Sequence, residues 1–181
     1  MALVSRRTAF TALAGVAVAL AAAAALYFEP WKLVVNETVQ EAPPVAAAPQ
    51  VAGPPPAAVP VPAVVAPAVV ARGELVAHEH AGSGSVQVLR LADGSRVLRL
   101  QDLHTSNGPR LVVRLSAAPV LSGRDGWFVF ADAPHVDLGP LKGNIGSSNY
   151  PIPAGVDLAA LPSVSIWCER FGVSFAAAAL R

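Results

Sequence analysis

Ser85-Val86-Gln87-Val88-Leu89-Arg90-Leu91-Ala92-Asp93-Gly94-Ser95-Arg96-Val97-Leu98-Arg99-Leu100-Gln101 is the stretch whose reading decides the fold. Two runs rich in valine and leucine, Ser85 to Leu91 and Ser95 to Gln101, flank Ala92-Asp93-Gly94. Asp-Gly between such runs predicts a β-hairpin, because it tolerates the positive φ of a type I′ turn. On the second arm Leu98 and Leu100 point one way, while Arg96, Val97 and Arg99 supply more polar surroundings.

Working outward toward the carboxyl end, Asn107-Gly108-Pro109 makes another turn. Leu111, Val113 and Leu115 then share one face of a third strand, with Arg114 pointing out. Ser116 to Asp137 is less regular, broken by Gly123, Gly126 and Pro134, and Trp127 to Phe130 reads as a short strand. Leu138 to Tyr150 carries three glycines and two asparagines, which suit backbone conformations closed to residues with a Cβ. It reads as a loop with two roles open: a ligand site through Gly143, Asn144, Asn149 and Tyr150, or a tight closure of the domain. No Walker or dinucleotide pattern occurs in it.

Pro151 to Pro162 reads as a connector, Ser163 to Cys168 as a strand and Gly172 to Ala177 as another. Period two puts Val164, Ile166 and Cys168 on one face and Trp167 on the other. Phe171, Val173 and Phe175 share a face that should pack near Cys168. Short β-type runs punctuated by turn residues through Gly73 to Arg181 predict an all-β sandwich or barrel.

The residues before Gly73 are appendages. Residues 1–7 end in Arg6-Arg7, and Thr8 to Phe28 then runs without a charge for a length that spans roughly the 30 Å of a bilayer core. Residues 8–28 therefore read as a membrane anchor or signal-anchor in contact with lipid. The alanines at 21–25 keep a cleavable signal open, and Arg6-Arg7 only faintly suggests a twin-arginine signal. Tyr27, Phe28 and Trp31 suit the headgroup region. Paired arginines before the segment, against only Lys32 soon after, place the amino terminus in the cytoplasm and the domain outside, in a single-pass plasma-membrane arrangement. Residues 29–72 form a connector and then a Pro/Ala/Val-rich linker with nine prolines between 42 and 72, which prefers extended polyproline II.

Composition excludes several classes. The net charge is +1, and from Gly73 onward nine Lys or Arg face nine Asp or Glu, so no basic surface recruits nucleic acid. There is no Gly-x-Ser-x-Gly and no HExxH, and Asp102 and Asp137 are assigned no role. A single cysteine excludes an intrachain disulfide and any CxxC pair. Cys168 therefore reads either as a small hydrophobe in the core or as a reactive thiol, the latter needing a cation such as Arg170 nearby. His78 and His80, a His-x-His pair, are weak metal candidates that with Cys168 would make a soft copper or zinc site; the alternative is two exposed histidines. His104 and His135 fall in turn regions and read as surface residues.

Asn107-Gly108-Pro109, Leu138-Gly139-Pro140-Leu141-Lys142-Gly143-Asn144 with Asn149-Tyr150, Val164-Ser165-Ile166-Trp167-Cys168, and Phe171-Gly172-Val173-Ser174-Phe175-Ala176 with Leu180 occur in order at domain-like spacing. In this the stretch from Gly73 to Leu180 resembles the electron-transfer DM-thirteen domain family. The resemblance implies a β-rich extracytoplasmic module, found in animals beside cytochrome-like DOMON domains. It also implies a redox role for Cys168, as a naked thiol or as ligand to a prosthetic group such as haem, and a redox partner protein. The alternative is a cell-envelope interaction module in which Cys168 only packs and the Leu138 to Tyr150 loop makes the contact.

Overall fold

Strands are expected where apolar side chains recur every second residue, and the chain follows that rule. The computed structural model describes residues 6–44 and 66–181. One helix, α1 (Arg6–Phe28), is followed by a 3-10 turn, Pro30–Leu33. Among the described residues ten strands come next in chain order: β1 (Thr38–Gln40), β2 (Ala68–Glu74), β3 (Val76–Ala77), β4 (Gly82–Arg90), β5 (Arg96–Thr105), β6 (Leu111–Ser116), β7 (His135–Pro140), β8 (Ile145–Ile152), β9 (Ser163–Cys168) and β10 (Val173–Ala179).

They form two five-stranded sheets, ordered β1-β8-β5-β4-β2 and β3-β10-β9-β6-β7. Val86, Val88, Leu98, Leu100 and Tyr150 from the first sheet meet Val113, Leu115, Val164, Ile166, Cys168 and Phe175 from the second in one buried core. The domain is an all-β sandwich, as its alternation predicts. Helix α1 includes a 19-residue apolar stretch, Phe10–Phe28, long and apolar enough to cross a membrane and not buried against the domain.

The β4–β5 hairpin pairs Arg90 with Arg96 and Val88 with Leu98. Its turn differs in detail from the expectation. Gly94 has φ 82° whereas Asp93 does not take a positive φ, so the turn is not type I′. A β-turn closed by Gly94 N–H to Leu91 O is followed by a left-handed glycine, and the Asp93 carboxylate accepts from Ser95 N–H and Oγ–H.

Two other departures have one physical origin, the covering of surfaces that alternation alone would leave in water. Residues after β6 fold across the outer face of the second sheet, where Phe130 and Ala118 pack on Val112, Trp167 and Ala177. Trp127 to Phe130 is consequently no strand: a 3-10 turn, Gly123–Gly126, leads into it, and Phe130 is spent covering the sheet. Arg114 points outward as expected yet is only 5 % exposed, because that same cover encloses it against Asp137. Phe171, expected in the core, is exposed. The strand stops at Cys168, Gly172 N–H closes a turn on Cys168 O at 2.8 Å, and Phe171 is left at the tip.

Leu138 to Tyr150 is not one loop. Its first residues finish β7 in one sheet, its last residues lie in β8 of the other, and only 141–144 cross between them. The division of the chain at Gly73 also shifts. The sheet begins at Ala68, and three residues of the supposed connector, Thr38–Gln40, join it as β1, parallel to β8. The polyproline expectation falls chiefly on residues 45–65, outside the described residues.

Candidate functional site

Cys168 ends β9 near the middle of the second sheet, flanked by Leu111 of β6 and Val173 of β10. It is fully buried, and its Sγ–H donates to Pro109 O at 3.2 Å. Burial pushes its pKa above the usual thiol value; the backbone amides of Phe171 and Arg170 and the charge of Arg170 act in the opposite direction. Since the thiolate is the reactive form, the thiol is masked at rest. Arg170 itself stands over the Tyr27 ring, its guanidinium carbon 3.4 Å from the centroid.

Gly143, Asn144, Asn149 and Tyr150 come together at one sheet edge, and what they hold is the chain's own connector. Asn144 is 1 % exposed. Its Oδ1 accepts from Glu37 N–H at 2.7 Å, and its Nδ2 donates to Asn36 Oδ1 at 2.9 Å and Thr105 O at 2.7 Å. Asn149 donates through its backbone N–H to the Glu41 carboxylate at 2.6 Å and through Nδ2 to Ala42 O at 2.8 Å. Arg99 joins Glu41 O to Asn149 Oδ1, which is why an arginine on the polar face of β5 is buried. Tyr150 Oη accepts from Lys142 N–H at 2.9 Å, and Lys142 Nζ pairs with Glu41 at 2.7 Å. That pairing, with the Asn149 amide, lowers the Glu41 pKa against the opposing effect of partial burial. Glycine is required here by close approach: a Cβ on Gly143 would stand 2.6 Å from Glu37 O, and one on Gly146, at φ 103°, 2.1 Å from Val39 O.

His78 and His80 project differently. His78 is 8 % exposed, not a surface residue. Its Nε2 meets Leu121 O at 3.0 Å, which assigns the proton to that nitrogen, and Nδ1 meets Ser174 Oγ at 2.8 Å. Ser165 Oγ continues the chain at 2.9 Å. This buried His78–Ser174–Ser165 network escapes sequence reasoning because 96 residues separate the histidine from Ser174. Burial lowers the His78 pKa, with the Leu121 hydrogen bond opposing. His80 instead contacts the Glu79 carboxylate and packs on Phe175, ring centroids 4.1 Å apart. His104 and His135 are exposed, as expected, but they lie in β5 and β7 and not in turns. Among the described residues no three His, Cys, Asp or Glu side chains cluster as metal ligands would.

Beside the thiol lies a pocket of about 470 Å³, lined by Leu33, His80, Trp127, Phe128, Phe171 and Phe175, with Glu79, Pro109 and Val173 completing the wall. Pro109 accepts the Cys168 hydrogen bond and Val173 is its strand partner, so these two residues connect the pocket wall to the sulfur. A haem or copper ion held by Cys168 does not fit these residues: a ligating sulfur must be deprotonated and open to the metal, and this one is fully enclosed, held to Pro109 O and disfavoured as a thiolate by its burial.

Among known protein families, residues 74–180 match the one described as Electron transfer DM13. No curated protein and no solved structure matches the chain. The match takes in β3 to β10, the Cys168 turn and all four residues around Asn144, and it covers more than half of the 181 residues. The chain belongs to the DM13 electron-transfer family.

Proposed function

We propose that this protein is a membrane-tethered redox domain facing away from the cytoplasm, and that Cys168 carries its redox role as a thiol. Family membership together with a lone sulfur at the end of β9 carries the reading. Burial protects that sulfur from adventitious oxidation in an oxidising compartment, while the amides of Arg170 and Phe171 and the charge of Arg170 stand where a thiolate would form. Access requires the turn from Glu169 to Gly172 to move, which means releasing the Glu169–Arg110 pair and the stacking of the exposed Phe171 on Phe28. Arg6-Arg7 at the start of α1, before its apolar stretch, supports a cytoplasmic amino terminus and a plasma-membrane anchor for residues 8–28, with the segment from 45 to 65 as spacer. A redox partner protein would then meet the domain at the Cys168 end.

Voltammetry of the detergent-solubilised chain, with absorption and metal analysis of the same sample, tests this. A redox wave that disappears in Cys168→Ala is expected; a wave that survives, or a wild type without one, removes the thiol from the role. A second reading, a cell-envelope interaction module with a structural cysteine, draws on the complete burial of Cys168 and is what a silent wild type would favour.

A further inference from the structure

The pocket beside Cys168 has three properties that together select a ligand. Its walls are aromatic: Trp127, Phe128, Phe171 and Phe175 suit a flat ring, which stacks or packs edge-on against them. One donor is unused. The indole Nε1–H of Trp127 is buried and has no hydrogen-bond partner, a state that costs free energy until an acceptor arrives. The pocket also lies next to the apolar helix. Phe171 on its wall stacks on Phe28 at the end of α1, ring centroids 6.1 Å apart, and Leu33, five residues further on, is another wall residue.

Charge narrows the choice. Glu79 lines the pocket with His80 against it, so an anionic head such as a fatty-acid carboxylate would meet a carboxylate. A neutral ring carbonyl avoids that repulsion and supplies the acceptor that Trp127 lacks. The volume, about 470 Å³, falls in the usual range of small-molecule sites. We propose that this pocket binds the head ring of a lipid-soluble quinone, the enclosed Trp127 indole turning so that its Nε1–H reaches one ring carbonyl and the tail leaving toward α1. The inference rests on reading the domain as an electron-transfer module and α1 as a membrane anchor, and among lipophilic ring carbonyls that reading selects a quinone. Ligand binding here does not require Cys168 to react.

The test uses the full chain in lipid nanodiscs with decyl-ubiquinone as probe, measuring uptake in excess of protein-free discs. Saturable uptake of one equivalent per chain is expected. Trp127→Phe, which keeps a ring and removes the donor, should weaken binding about threefold to tenfold, the worth of one hydrogen bond. Phe128→Ala with Phe171→Ala, at two exposed positions whose loss leaves the core intact, should weaken it at least as much. Decylbenzene, without an acceptor, should respond to the phenylalanine changes and not to Trp127→Phe. Uptake no greater than in empty discs, or quinone affinity unchanged in both variants, overturns the proposal. Cys168→Ser leaves the wall in place and should retain quinone affinity, so binding stands or falls separately from the thiol's redox wave.

Discussion

Asn144→Ala is the perturbation that best separates a clamp from a ligand site. The side chain makes three hydrogen bonds of 2.7 to 2.9 Å and is almost wholly enclosed. At about 1 kcal/mol for each bond, removal costs about 3 kcal/mol, with some addition for the orphaned Glu37 N–H and Thr105 O. Relaxation of the connector into water recovers part of this at Glu37 and little at buried Thr105, so the expected loss is about 2 to 4 kcal/mol. Urea unfolding of the detergent-solubilised chain, followed by tryptophan fluorescence, should show the midpoint fall at unchanged slope. Protease should also cut residues 34–42 faster in the variant, since Asn144 holds that segment against β8. A loss below about 1 kcal/mol, the range of ordinary surface substitutions, would refute the clamp and return Asn144 to the free surface of a ligand loop.

Other outcomes follow from buried titratable groups. Burial raises the Cys168 pKa above its ordinary 9.0, so the folded state holds its proton where the unfolded chain releases it; stability present below pH 9 should decline as pH rises past that value. Tyr150, raised by burial from 10.0, adds a decline of the same sign at higher pH, so the readout is the difference between wild type and Cys168→Ala in pH-dependent unfolding. His78 is shifted the other way: stability present above pH 6.5 should fall as the pH drops below it, because the unfolded chain binds a proton that the buried imidazole resists, and His78→Gln should flatten that limb. Asp137→Asn leaves the enclosed Arg114 guanidinium, paired at 2.7 Å and stacked 5.2 Å over Trp167, without its counter-charge. With Asp137 about a third exposed and screened, a loss of about 1 to 2 kcal/mol is expected by thermal unfolding, and Arg114→Met in the same chain should restore most of it.

How much was legible in the chain itself follows from the range of the forces involved. The β4–β5 hairpin, the third strand, β9 and the facing of Val164, Ile166 and Cys168 into one core depend on period-two alternation and short turns, which are local. The 19-residue apolar run is equally local, as length and hydropathy suffice to identify it. The succession of motifs around Cys168 was enough to place the chain in its family.

Tertiary structure alone decided what those elements touch. Glycines and asparagines between 143 and 149 look like a ligand loop because close approach and free amides are visible in sequence while the approaching partner is not; that partner is the connector about 107 residues earlier. Arg114 and His78 are buried because 117–134 folds back over a sheet face that alternation predicts to be wet. Whether Cys168 is open or enclosed likewise depends on Pro109, 59 residues away, and on where the strand stops. Alternation assigns a side chain to a face; only the packing of distant segments determines whether that face meets water, another sheet or a ligand.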